Sequence, residues 1–394
     1  MKKRYRLAAV ALAAACANGA MAMDVAGFEF NGYSRGGPVF NDSDGVKGGM
    51  TLGGDTQKFR LGNEGDNGIE INLARTFDTN GVKWKVNYMP SKWGSGKVGT
   101  EQAYVEMSGL PFAPEAKFWA GQRRLRIQDV HIVDYFLLNY GDNEGAGVTD
   151  IAVGNMKLGI GVFSGDKFDG NLPTGAKAHR VNADLSEINT NPGGKLRVLL
   201  TAVGGSGQVN GGSGTGISIS HNQTDFLVKG LNNALFLQSS QGHARIDGEF
   251  ESIDGLNAGK RVTRIADSIN WQHGPFGGQA LAAYQTSKSD LGGPTTKDFS
   301  LGGRASYAFT EHVKALAEVS TTTRKGVGAD QRLNKITLAA ALATGADFWS
   351  RPELRLYVTR ANWNQAAAVA NAGSFGANGK TSRTLVGVQY EVWW

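Results

Sequence analysis

Of the chain's 394 residues, 56 are glycine, twice the ~7% share usual in proteins, while 41% are hydrophobic and 19% charged. Beyond the first 22 residues no apolar run approaches the ~20 residues of a membrane helix. The glycines lack collagen's three-residue period, and the hydrophobic content excludes a wholly disordered chain. The formal net charge of +6 falls to +2 once Lys2, Lys3, Arg4 and Arg6 are set aside, which removes the main support for nucleic-acid binding.

Those four cations open a leader-like segment, 1–22. It has a basic start, an apolar core from Leu7 to Ala17 and a small-x-small cleavage site at Ala20-Met21-Ala22. A cleaved signal peptide is expected, followed by one domain over 23–394. Cys16 is the only cysteine and lies inside the leader, behind the poor lipoprotein box Ala13-Ala14-Ala15. The mature chain is then expected to hold no disulfide, thiolate nucleophile or cysteine metal site.

From Phe28 onward the chain alternates. Phe28, Phe30, Gly32 and Ser34 share one face, with Glu29, Asn31, Tyr33 and Arg35 on the other. Ile69, Ile71 and Leu73 oppose Glu70 and Asn72, and Val82, Trp84, Val86 and Tyr88 oppose Lys83, Lys85, Asn87 and Met89. Met156 to Val162 repeat the pattern. Val313, Ala315, Ala317 and Val319 oppose Lys314, Glu318 and Ser320, with Leu316 as one exception. The chain ends with Val386, Val388, Tyr390, Val392 and Trp394 against Gly387, Gln389, Glu391 and Trp393. Period two with one apolar face predicts strands.

A soluble sandwich also alternates. Here the polar face carries Lys, Arg and Glu beside Gly and Tyr, which suits a wet lumen. Strand segments recur every ~20 residues between Gly/Asn/Asp/Ser turns, giving about eighteen, as in a large outer-membrane barrel. The last residue is also an aromatic of the apolar face. These features predict an all-β transmembrane antiparallel barrel of about 18 strands, closed because unpaired backbone groups are costly in hydrocarbon. Trp84, Tyr88, Trp349, Tyr390 and Trp394 are candidates for an interfacial girdle. The glycine-rich stretches 41–55, 204–216 and 364–380 read as external loops.

Residues 119–148 break the alternation. About 25 residues mix Arg123, Arg124, Arg126, Asp129, His131 and Asp134 with Val130, Ile132, Val133, Tyr135, Phe136, Leu137 and Leu138. So apolar a loop is unsuited to solvent. It is expected to fold into the barrel as a constriction, the alternative being a buried strand pair under an ordinary loop.

The blocks FEFNGYSR at 28–35, FRLGNE at 59–64, WAGQRR at 119–124, DVHIVDYF at 129–136, INTNPGG at 188–194, WSRP at 349–352 and YEVWW at 390–394 resemble the maltoporin family. They run across the mature chain in the family's order. The resemblance implies an eighteen-stranded homotrimeric porin in the outer membrane of a Gram-negative bacterium, with its third external loop folded inward. It also implies that maltooligosaccharides pass along an aromatic track, with no cofactor. The aromatic track would use Tyr33, Trp349 and Trp393, joined by Trp93 from a loop reaching into a neighbouring subunit. Alternation independently puts Tyr33 and Trp393 on the lumen face. A polar track would use Arg35, Arg60, Glu70, Arg123, Asp129 and Asp134, with His131 and Arg126 at the constriction and Phe136 as its steric gate.

Four positions depart from the family pattern: Gly68 and Leu231 replace track aromatics, Ile127 a constriction arginine and Asn139 a carboxylate. A shorter sugar such as sucrose, or a general diffusion porin, is the competing expectation. An enzyme is not expected. Asp129 and Asp134 are the only tempting carboxylate pair, the six histidines (131, 179, 221, 243, 273 and 312) are scattered, and neither a G-x-S-x-G elbow nor an H-E-x-x-H pair accompanies them.

Overall fold

The computed structural model describes residues 23–25, 27–41, 45–165, 177–206, 213–251, 259–289 and 292–394. The expected leader, 1–22, lies outside them. Eighteen strands form the barrel wall. They are β1 (Phe28–Gly36), β2 (Gly68–Thr79), β3 (Val82–Trp93), β4 (Gly99–Ser108), β5 (Lys117–Gln122) and β6 (Glu144–Val153). Next come β7 (Met156–Ser164), β8 (Lys177–Asn189), β9 (Gly194–Ser206), β10 (Gly214–Gln223), β11 (Leu231–Gly242) and β12 (Lys260–His273). The last six are β13 (Phe276–Ser289), β14 (Thr296–Ala308), β15 (Val313–Lys325), β16 (Gln331–Ala343), β17 (Glu353–Trp363) and β18 (Ser382–Trp393). Each pairs antiparallel with its chain neighbours, and β1 closes the sheet on β18 in the register Tyr33↔Trp393 to Gly36↔Tyr390.

The wall is built the opposite way round from a soluble sandwich. Along β17, Glu353, Arg355, Tyr357 and Thr359 are buried, whereas Leu354, Leu356 and Val358 are exposed. Leu338 on β16 is 59% exposed and Leu356 is 55% exposed. So continuous an apolar outer face is stable only against hydrocarbon, since in water its exposure would cost about 25 cal/mol per Å². Polar side chains turn inward instead. The alternation reports both faces of the wall, except at its end, where Trp394, expected on the outer face, borders the lumen beside Trp393.

Three inward-folding segments occupy the lumen. The first, 45–64, overturns the expectation that 41–55 is wholly external, because Met50 and Leu52 are fully buried together with Phe59 and Leu61. Wall side chains hold its backbone. Lys335 Nζ donates to the carbonyls of Phe59 (2.8 Å), Met50 (3.2 Å) and Lys58, Thr337 donates to Leu61 O (3.0 Å) and Thr359 to Gly62 O (3.0 Å). Leu316, the exception to the alternation of β15, packs with Met50, Leu52 and Leu61 in one apolar cluster.

The second segment is the one that broke period two. Arg126–Val130 and Tyr135–Asn139 pair as a hairpin, joined by the 3-10 turn His131–Val133 with Asp134 at φ 54°. It is therefore a strand pair and an inward constriction at once. Ile132, Val133, Leu137 and Leu138 are buried among Leu199, Phe236, Ala266 and Leu281 of the wall. Each such side chain stabilises the docked loop by about 1.5–3 kcal/mol at most.

The third segment, 243–251, lies beside the hairpin, with Asn139 N donating to Asp247 O at 2.8 Å. Of the other expected loops, 204–216 is strand at both ends and its middle, 207–212, lies outside the described residues. Residues 364–380 carry two short helices, Gln365–Ala370 and Ala372–Phe375. Asn364 caps the first by accepting from Ala367 N at 3.1 Å, and Phe375 stacks on Trp363 at 4.4 Å. Of the girdle candidates, Tyr88 and Tyr390 are exposed on the outer face.

Candidate channel constriction

A cavity of about 830 Å³ runs between the wall strands β1–β3 and the inward hairpin. Tyr33, Arg35, Glu70, Met89, Trp93 and Trp393 enter it from the wall because they occupy the polar parity of their strands. Arg60 reaches it from the first inward segment and Asp66 from the connection between that segment and β2. Arg126, Asp129, His131, Asp134, Phe136 and Asn139 come from the hairpin, and Arg245, Asp247 and Glu249 from the third segment.

On one side the charges form a shared network. Arg35 binds Glu64 (2.8 Å), Asp66 (2.8 Å) and Asp134 (3.0 Å). Lys58 binds Glu64 (2.6 Å) and Asp134 (2.7 Å), and Arg60 binds Glu64 (2.9 Å) and Glu391 (2.9 Å). The Tyr33 hydroxyl accepts from Arg60 and donates to Glu391 at 3.0 Å. Burial opposes ionisation of Asp134, but Arg60, Lys58 and Arg35 hold its carboxyl well below the usual range. Asp129 lacks that surplus of cations, so burial and the Asp134 charge push it up to about 6. Burial drives His131 well below its ordinary value, keeping the imidazole neutral.

Across the cavity, Arg124 holds Glu70 in a two-pronged pair (2.5 and 2.9 Å), and Arg126 binds Asp142 at 2.9 Å. Asn139 donates to Asp142 (3.2 Å) and Glu249 (2.5 Å). Tyr135 donates to Asp247 at 2.9 Å, and Arg245 binds Glu249 at 3.0 Å. Arg126 lies 5.3 Å over the Phe136 ring. Between these polar walls stand Trp93 and Tyr33, near-parallel at 29° and 6.2 Å apart, and Trp393, whose ring carries Arg351 at 4.5 Å. The result is a wet passage with aromatic faces and fixed charges side by side.

Most of the residues singled out from sequence meet here: Tyr33, Trp93, Trp393, Arg35, Arg60, Glu70, Asp129, Asp134, Phe136, His131 and Arg126 all line the cavity. Arg123 and Trp349 do not. Parity would turn Arg123 inward like Trp119, but β5 ends at Gln122. Arg123 instead pairs with Glu106 (2.8 Å) over Tyr104 (4.9 Å), while its neighbour Arg124 takes the lumen position. Trp349 sits edge-on against Phe348 (4.7 Å) and His131 (5.3 Å), so His131 lies between it and Trp393. Trp93 closes β3 and lines its own chain's cavity. Sequence reasoning missed Arg124, Asp142 and the third segment. The alternating charges Arg245, Asp247, Glu249 and Glu251 were the signal for the last.

A closed eighteen-stranded sheet with an apolar exterior and a charged, loop-narrowed lumen defines a channel-forming porin barrel of the outer membrane. Among the solved structures to which the chain is similar are the trimer form of in-vitro folded OmpT, an outer-membrane protein of Vibrio cholerae, and a triple mutant of Rh. blastica porin. The first is 9% identical, covering 93% of this chain and 99% of that one at a TM-score of 0.43. The second is 13% identical, covering 93% and 100% at 0.43. The LamB porin family matches residues 28–394, and the chain belongs to that family, one of channels of the sugar-porin type.

Proposed function

We propose that the protein gives facilitated diffusion of short oligosaccharides, maltose and maltodextrins first, across the outer membrane of a Gram-negative bacterium. The observation that carries this reading is the pairing of aromatic faces (Tyr33, Trp93 and Trp393) with fixed ionic groups along one passage. A glucose ring presents apolar C–H faces and a rim of hydroxyls. Aromatic contacts worth on the order of 1 kcal/mol each suit the faces, and charged hydrogen bonds of about 1.5–3 kcal/mol suit the rim. Several weak sites in a row let a sugar enter and leave without being trapped, the compromise that conduction demands. No step breaks a bond, so the protein acts as a passage and needs no cofactor.

The short track favours short sugars. Trp349 stands behind His131 and Leu231 is not among the cavity's lining residues, which leaves three plates. Sucrose and trisaccharides are then closer in length to the site than long dextrins. The protein works as a homotrimer exported by its 1–22 leader. Titrating single-channel current with maltose, maltotriose and sucrose tests the reading. Saturable block supports it, and unsaturable, size-only retardation of all three would instead establish a general diffusion pore.

A further inference from the structure

Gly68 opens β2 and Trp93 closes β3, and the two oppose each other directly in the antiparallel register. Side chains of such a pair stand side by side on one face, so a glycine leaves its partner room to lean across. Trp93 uses that room. A Cβ placed on Gly68 would come within 1.9–2.3 Å of three carbons of the indole's six-membered ring, far closer than van der Waals contact. Gly68 does not adopt the left-handed backbone that favours glycine, so the space, and not the conformation, demands it.

The leaning indole is fixed from several sides. Its Nε1–H donates to Glu70 at 3.3 Å, Arg35 lies 4.9 Å over its ring, and Tyr33 lies beside it at 6.2 Å. Glu70 is itself gripped by Arg124. The anchor of the indole is therefore part of the constriction's ionic frame.

We propose that Gly68 is a specificity-determining residue: by lacking a side chain it seats Trp93 in the chain's own lumen, completing with Tyr33 one aromatic surface for a sugar ring. The inference rests on the sugar-channel reading. Any side chain at position 68 evicts the indole and removes the plate while leaving β2 and β3 paired.

The test compares maltotriose block of single-channel current in wild type, Trp93→Ala, Gly68→Val, the Gly68→Val/Trp93→Ala double variant and Gly68→Tyr/Trp93→Ala. Trp93→Ala should raise the half-blocking concentration about fivefold, the loss of one aromatic contact. Gly68→Val should lose about as much, and the Val/Ala double variant no more than either single one, since both remove the same plate. Gly68→Tyr/Trp93→Ala should recover most of the loss by restoring a ring to the same space. Sugar-free ion conductance of each variant reports that the barrel is intact. Should the wild type block saturably and Trp93→Ala block equally well, or should the two losses add, the inference falls while the sugar-channel reading stands. A wild type blocked by no sugar overturns both.

Discussion

The two halves of the lumen are built from different materials. Beside β1–β3 the interior surface is ionic and aromatic and borders open space. Beside β9–β17 it is largely filled. Met50, Leu52 and Leu61 pack on Leu316, Leu333 and Tyr357, and Ile132, Val133 and Leu137 pack on the wall around Phe236 and Leu281. One half is a core and the other a passage. The contrast shows how a wide barrel can hold a narrow eyelet: loops are rigid enough to define a bore only where they have a wall to be buried against.

The sharpest way to break the contrast is to attack the packed half. Leu137→Asp should place an unpaired charge among buried apolar side chains and cost roughly 3 kcal/mol or more. Undocking of the hairpin would then appear as larger, noisier single-channel conductance with a lower thermal midpoint in detergent. A variant with wild-type conductance and melting would show that burial does not hold the loop.

On the passage side, Arg124→Gln should weaken sugar block about tenfold, because Glu70 loses its two-pronged partner and the seat of the Trp93 indole loosens. Arg123→Gln, outside the cavity, should change block less than twofold. Equal effects would erase the distinction the structure draws between these neighbours. Trp393→Ala comes next, with about a fivefold loss of sugar affinity and a smaller change in ion conductance. Unchanged affinity would remove Trp393 from the track.

The smallest effect concerns charge alone. Asp129 has its carboxyl pushed up to about 6, so it is ionised above that pH and neutral below it. As pH falls from 8 to 5 the bore loses negative charge, and the preference for cations over anions should drop by less than twofold. Burial favours the neutral form of His131, and the surrounding cations favour the ionised form of Asp134. Reversal potentials in a salt gradient read the change, and Asp129→Asn should abolish it. A slope that persists in Asp129→Asn would assign the titration elsewhere.

The wall was legible in the sequence because strand parity is a local property, readable from residues two apart. The hairpin 126–139 was legible as an anomaly, since its apolar content fits neither lipid-facing alternation nor solvent. The inward course of 45–64 was not. Its glycine-rich text looks like any exposed loop, and what buries it are Lys335, Thr337 and Thr359, more than 270 positions away in sequence. Leu316 carried the clue in reverse: an apolar residue at a lumen position of β15 has a partner inside the barrel. The choice between Arg123 and Arg124 was beyond parity reasoning, because the strand stops at Gln122, before both.

Glu391 is contributed by β18, the last strand of the sheet. It joins Arg60 of the first inward segment, Arg351 of the turn before β17, Arg355 of the wall and the hydroxyl of Tyr33. The knot that steadies the eyelet can therefore be tied only after the final strand has docked beside the first. An incompletely assembled barrel would be a coarse, unselective hole, and selectivity would arrive together with the last seam of the cylinder.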